Sequence, residues 1–199
     1  MHNPIFNNFL LFNYNNRLKM KISRAYGGVT LMCSLITGNC LVNSDFERLN
    51  RLYSFDHEYL ELKFEDMHQR EVGDDVANLG YPDDGNGRYM KERPYSDWYF
   101  MNVAKRIYRN DIEHIVTMIP MSLLNGIVYP YSTIGLLAVY FIGRSLYTNG
   151  YFEKEGAENK KRMVGSLLCN FAHVGTFGVT MMIALNMSRG RIMLSKFLT

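Results

Sequence analysis

Apolar and polar positions are segregated along this chain in blocks too long for an ordinary soluble core. Residues 111–147 and 163–185 are almost free of charge, and a bilayer takes about 20 apolar residues per crossing helix. The second half therefore predicts three spans. Two of them form an apolar hairpin over 112–141 that turns at Tyr129, Pro130 and Tyr131, its return arm being a span over 133–147. The last runs over 163–185, opened by Arg162. Pro120, inside the second span, predicts a kink. An earlier apolar run, 27–42, reaches crossing length if its helix starts near Ser23 and continues through 45–53. Its small residues, Gly27, Gly28, Ser34 and Gly38, predict close approach of neighbouring helices.

The polar blocks between the spans have their own signatures. Residues 45–69 are charged and helix-forming, with an irregular apolar side at Leu49, Leu52, Leu60, Leu62 and Phe64. They read as an extramembrane extension of the first helix. Residues 80–88, Gly-Tyr-Pro-Asp-Asp-Gly-Asn-Gly-Arg, are turn chemistry throughout. Tyr95, Trp98, Tyr99 and Phe100 then make an aromatic belt suited to a membrane interface. A polar loop over 152–161 precedes the last span.

The mean hydropathy of -0.16 conceals this segregation. Fourteen of the 19 acidic residues fall between 45 and 97, and none precedes position 45. A net charge of +3, without basic clusters on aromatic strands, gives no support to a nucleic-acid role. Cys33, Cys40 and Cys169 each sit in an apolar run, so they read as buried thiols rather than a disulfide framework. Residues 1–25 hold six asparagines, four basic residues and no acid, which reads as a basic segment of mitochondrial-targeting character that is retained. The tail 188–199, with Arg189, Arg191 and Lys196, suits a phospholipid surface. Basic residues flank the spans on both sides, so orientation stays open.

Candidate chemistry concentrates at the mouths of the hairpin. Arg106, Asn110 and Glu113 fall at i, i+4 and i+7, and Arg144, Tyr147 and Tyr151 at i, i+3 and i+7. Each set lines one helix face, and the tight turn brings both faces to the same end of the pair. Polar groups at the end of an apolar bundle are costly unless they meet each other, water or a ligand. By contrast, His57, Glu58, Glu61 and Glu65 match no metal-ligand spacing and read as a solvated face, so no metal is expected. Asn170 and His173 lie in the last span, and the histidine reads as a group bonded to a neighbouring helix.

The ordered pair of motifs, Arg106-Ile-Tyr-Arg-Asn110-Asp-Ile-Glu113 and Gly143-Arg144-Ser-Leu-Tyr147-Thr-Asn-Gly-Tyr151, resembles the MAPEG family, membrane-associated proteins in eicosanoid and glutathione metabolism. The segments 82–89 and 97–99, and Tyr26-Gly27 at the head of the first span, are similar as well. The pattern is most like the microsomal glutathione transferases, type three in particular. The resemblance covers residues 26–187, with a helical acidic extramembrane stretch inserted within 45–100. It implies an all-α transmembrane four-helix bundle, assembled as a homotrimer with glutathione as cosubstrate between subunits. Arg106, Asn110, Glu113, Tyr147 and Tyr151 match the family's glutathione-binding positions, and Arg51 the basic residue ending the first helix.

The family's activating arginine falls at Glu158 or Asn159 here, so Lys161 or Arg162 would take that role. His114 stands where the family has an aromatic residue after the glutamate, and Lys105 and Pro120 also depart from the pattern. Two functions follow as expectations. One is a glutathione transferase or peroxidase acting on lipophilic electrophiles or lipid hydroperoxides. The other is a catalytically weak accessory subunit of a respiratory-chain complex in the mitochondrial inner membrane. The endoplasmic reticulum and the mitochondrial outer membrane are the alternative locations.

Overall fold

The computed structural model describes residues 23–153 and 155–189, and every regular element among them is helical. The expectations for 1–25 and 188–199 therefore lie almost entirely outside the described residues. In chain order the helices are α1 (Arg24–Ser54), α2 (His57–Glu71), the four-residue α3 (Arg88–Lys91), α4 (Tyr95–Val128), α5 (Pro130–Phe152) and α6 (Lys160–Ser188). Short 3-10 turns lie at Asn78–Gly80 and Gly156–Glu158.

Local sequence explains the boundaries. Ser23 caps α1, its hydroxyl accepting from the Ala25 amide at 3.3 Å. Pro130 occupies the first turn of α5, where its missing N–H costs nothing. Asn159 caps α6 by accepting from the Lys161 amide at 2.8 Å. The aromatic belt forms the opening turns of α4, so the second long helix begins well before the apolar hairpin. Pro120 lies inside α4, and the helix runs through it.

The acidic stretch extends the first helix only as far as Ser54, and the rest of it forms the separate helix α2. Asp56 ends that continuity: its carboxylate caps α2 by accepting from the Tyr59 amide at 2.8 Å. Arg93 reaches back to take the last carbonyls of α1, donating to Ser54 O at 2.5 Å and Tyr53 O at 3.1 Å. The same guanidinium bonds the Asp56 carboxylate at 2.6 Å. Phe55 turns into a separate core with Leu60, Phe64, Val76, Tyr89, Met90 and Met101. Gly80 is required there, because its φ is +68° and a Cβ would come within 2.5 Å of the Phe55 ring.

The larger core joins Val29, Cys33 and Ile36 of α1 to Met118 of α4, Leu137 and Tyr140 of α5, and Cys169 and Ala172 of α6. The tightest contact is between α5 and α6. A Cβ at Gly165 would lie 2.4 Å from the Tyr147 amide nitrogen, and one at Gly150 2.4 Å from that of Arg162. Backbone thus packs directly on backbone, as small residues allow between helices. The glycines singled out in the first apolar run behave differently: Gly27 and Gly38 face open space, and only Gly28 meets a neighbour, the Ile134 side chain.

Two helices, α1 and α6, are long and apolar enough to cross a membrane. Their outward faces carry large apolar side chains such as Leu31, Val42, Leu167, Phe171 and Val174. In α4 the charges of Arg106, Arg109, Asp111 and Glu113 interrupt the apolar run.

Gly165→Ala is expected to lower the thermal stability of the detergent-solubilised protein by about 1–3 kcal/mol through overpacking. Gly178→Ala, where a Cβ meets nothing within 4 Å, should be neutral or slightly stabilising. The Tyr59 amide and then Arg93 hold the Asp56 carboxyl below the usual carboxylate range. A lowered folded pKa means that this contribution is complete above the ordinary value and disappears as the pH falls through the lowered one. Asp56→Ala should therefore cost about 1 kcal/mol at neutral pH, read as faster amide exchange along α2. The gap to wild type should close as the pH drops below about 4.

Candidate functional site

Two faces of α4 carry different chemistry. The inward face places Asp111, 2% exposed, against Arg144 of α5, also 2% exposed, in a buried ion pair. The other Asp111 oxygen accepts from Asn43 of α1 at 2.6 Å, and Asn43 also donates to Asn39 at 3.1 Å. Arg144 further donates to the Asn110 amide oxygen at 2.5 Å and to Ile107 O at 3.3 Å. Its guanidinium stands 4.6 Å from the centre of the Tyr147 ring. Arg144 thus ties helices together rather than facing a ligand. Asp111, Asn43 and Asn39 were not singled out in the sequence. The signal for Asp111 was an acid directly after Asn110, one step round the helix from the motif face.

The outward face of α4 presents Arg106, which is exposed, toward the hydroxyls of Tyr151 and Tyr147. Both tyrosines are nearly buried, and their rings meet edge to face at 5.2 Å. Arg162, from the first turn of α6, brings its guanidinium to 5.6 Å from the Tyr151 ring. Its buried Nε has no hydrogen-bond partner among the described residues. Four of the sequence-predicted residues, Arg106, Tyr147, Tyr151 and Arg162, therefore converge at one end of the α4–α6 group.

The remaining candidates are placed elsewhere. Lys161 points into the loop and bonds Glu153 at 2.5 Å, which holds that carboxyl below the usual range. Arg51 is 5% exposed and donates to the backbone oxygens of Asp83 at 2.8 Å and Leu79 at 3.1 Å, anchoring the turn-rich loop to the end of α1. Glu113 is exposed. Arg51 and Glu113 line one cavity of about 600 Å3, together with Asp84, Lys105, Tyr108 and Arg109 among others. Asp84 already engages Lys105 there and lies 3.6 Å from Arg51. Arg106, Tyr147, Tyr151 and Arg162 do not line this cavity. Asn110 is half-buried, its amide oxygen turned to Arg144. In α6, His173 meets Thr117 of α4 at 2.8 Å, the neighbouring-helix bond expected of it.

This all-helical architecture, with two helices among the described residues long and apolar enough to cross a membrane, is the one expected of a helical membrane protein. The chain belongs to the MAPEG family, whose family model matches residues 72–183. That match takes in α3, α4, α5 and most of α6, and every candidate site residue except Arg51. No curated protein and no solved structure matches the chain.

Removing one partner of a buried ion pair leaves the other charge uncompensated. Asp111→Ala is therefore expected to destabilise the solubilised protein by about 3–5 kcal/mol. Asp84→Ala, at a carboxylate 69% exposed, should cost about 0–1 kcal/mol. Thermal unfolding in one detergent compares the two.

Proposed function

We propose that the chain is a glutathione transferase or peroxidase of the microsomal type, its four long helices forming a transmembrane bundle that trimerises. The observation that carries this reading is the convergence of Arg106, Tyr147, Tyr151 and Arg162 within a member of a glutathione-metabolising family. Guanidinium groups suit the carboxylates of a peptide. Phenol hydroxyls buried at the same point supply donors that tolerate a dry setting. Asn110 and Glu113 lie further along the same helix, Glu113 offering a partner for the ligand's amino group.

The chemistry needs a thiolate, because a free thiol with a pKa of about 8.5 is mostly protonated at neutral pH. A guanidinium beside the sulfur favours the anion and lowers that pKa. Between the two candidate activating groups the geometry favours Arg162, since Lys161 is taken by Glu153. The thiol proton leaves to solvent, and the thiolate attacks an electrophilic carbon, forming the C–S bond as the leaving group departs with its bonding electrons. With a hydroperoxide instead, the thiolate attacks the terminal oxygen and the O–O bond breaks, releasing the alcohol and leaving a sulfenic acid, which a second glutathione thiol converts to the disulfide with loss of water. The partners of such a protein are the bilayer, glutathione and two further copies of the chain.

The second reading, an accessory subunit that has lost efficient chemistry, draws on a specific feature. Glu158 stands where the activating arginine is expected, and Arg51 and Lys105 are already satisfied within the chain by the extramembrane loop.

The purified protein is expected to conjugate glutathione to a lipophilic electrophile or to reduce a lipid hydroperoxide. Arg106→Ala should abolish glutathione binding, and Arg162→Ala should lower kcat by about a hundredfold with KM for glutathione little changed. A wild-type protein that neither binds glutathione nor turns over would leave the accessory reading standing.

A further inference from the structure

Glutathione binding as proposed above leaves open what holds Asn110 in a form that a ligand can use. The chain of contacts behind it answers this. A guanidinium carries five N–H donors and no acceptor, so the Asn110 atom 2.5 Å from Arg144 Nη1 has to be the amide oxygen. The amide NH2 is then the group left to meet a ligand. Arg144 cannot turn away, because Asp111 pairs with its other edge and Ile107 O accepts from it at 3.3 Å. Asp111 is itself fixed by Asn43 of α1 at 2.6 Å. The same guanidinium packs on the Tyr147 ring, so one buried cation sets two of the candidate ligand contacts at once.

We propose that Asp111, braced by Asn43, is a positioning residue of the ligand site: through Arg144 it locks the Asn110 amide with oxygen inward and NH2 outward. The site consequently offers only a donor at Asn110. It selects a ligand that presents an acceptor there, a peptide carbonyl or a carboxylate, and it disfavours one that presents an amine. This role rests on the glutathione-binding reading, and Asp111 itself touches no ligand.

The test is a double-mutant cycle on the full chain in detergent, with glutathione affinity and thermal unfolding measured in parallel. Asp111→Asn is expected to weaken glutathione binding by about tenfold in the wild-type background and to add little once Asn110 is Ala. Loss of stability alone would follow the fold rather than Asn110, so it would weaken binding equally in both backgrounds. If Asp111→Asn does not fold, Asn43→Ala replaces it in the same cycle, with a smaller fold-change and the same non-additivity. Wild-type binding with additive costs, or with no cost from either variant, overturns the positioning role alone. A wild-type chain that binds no glutathione overturns the ligand reading and this role with it.

Discussion

A single buried ion pair, Asp111 with Arg144, sets the relation between α4 and α5 on which the candidate site depends. Taking two charges out of water costs several kcal/mol per ion, recovered only when geometry and further hydrogen bonds are complete. Here Asn43, Asn110 and the Ile107 carbonyl supply those further bonds. Sliding α5 by one residue would break the contacts of Arg144 with Asp111, Asn110 and the Ile107 carbonyl together. The pair is therefore a register lock more than a source of net stability. In a membrane protein the lock is strict, because lipid offers no alternative partner to a displaced charge.

Register is also enforced from the other side of α5. Gly143, Gly150 and Gly165 bring the backbones of α5 and α6 so close that no side chain larger than hydrogen fits between them. The consequence appears at the end of the helices. Gly150 seats the Arg162 backbone directly beside the turn that carries Tyr147 and Tyr151, which brings the Arg162 guanidinium over the Tyr151 ring. An arginine arriving later in the chain than the family's activating position thus reaches the tyrosines because two backbones touch.

The unit of α2, α3 and the turns around them has its own core, joined to the end of α1 chiefly through two arginines. Arg51 holds the Leu79 and Asp83 carbonyls, and Arg93 holds the end of α1 and the cap of α2. Asp83 in turn bonds the amides of Gly85, Gly87 and Met90, which folds the turn-rich stretch into a fixed loop. That loop delivers Asp84 to the cavity shared by Arg51 and Glu113. The insertion therefore shapes one of the two polar clusters, while the other is built wholly from α4, α5 and α6.

The sequence by itself determined the helical class, the places where the long helices turn, and the two motif faces that carry the family resemblance. These follow from local physics: apolar run length, proline at a helix start, capping asparagine or serine, and the 3.6-residue period that aligns Arg106 with Asn110 and Tyr147 with Tyr151. Tertiary structure alone decided which motif residues meet. Arg144 looked like a member of the ligand face, yet it turns inward to Asp111 of α4, which Asn43 of α1 holds in place. Lys161 and Arg162 are neighbours in sequence, but a helix start sends one to Glu153 in the loop and the other to the tyrosines. Charge pairing and backbone approach are long-range properties, and no local pattern states which partner a charged side chain will find.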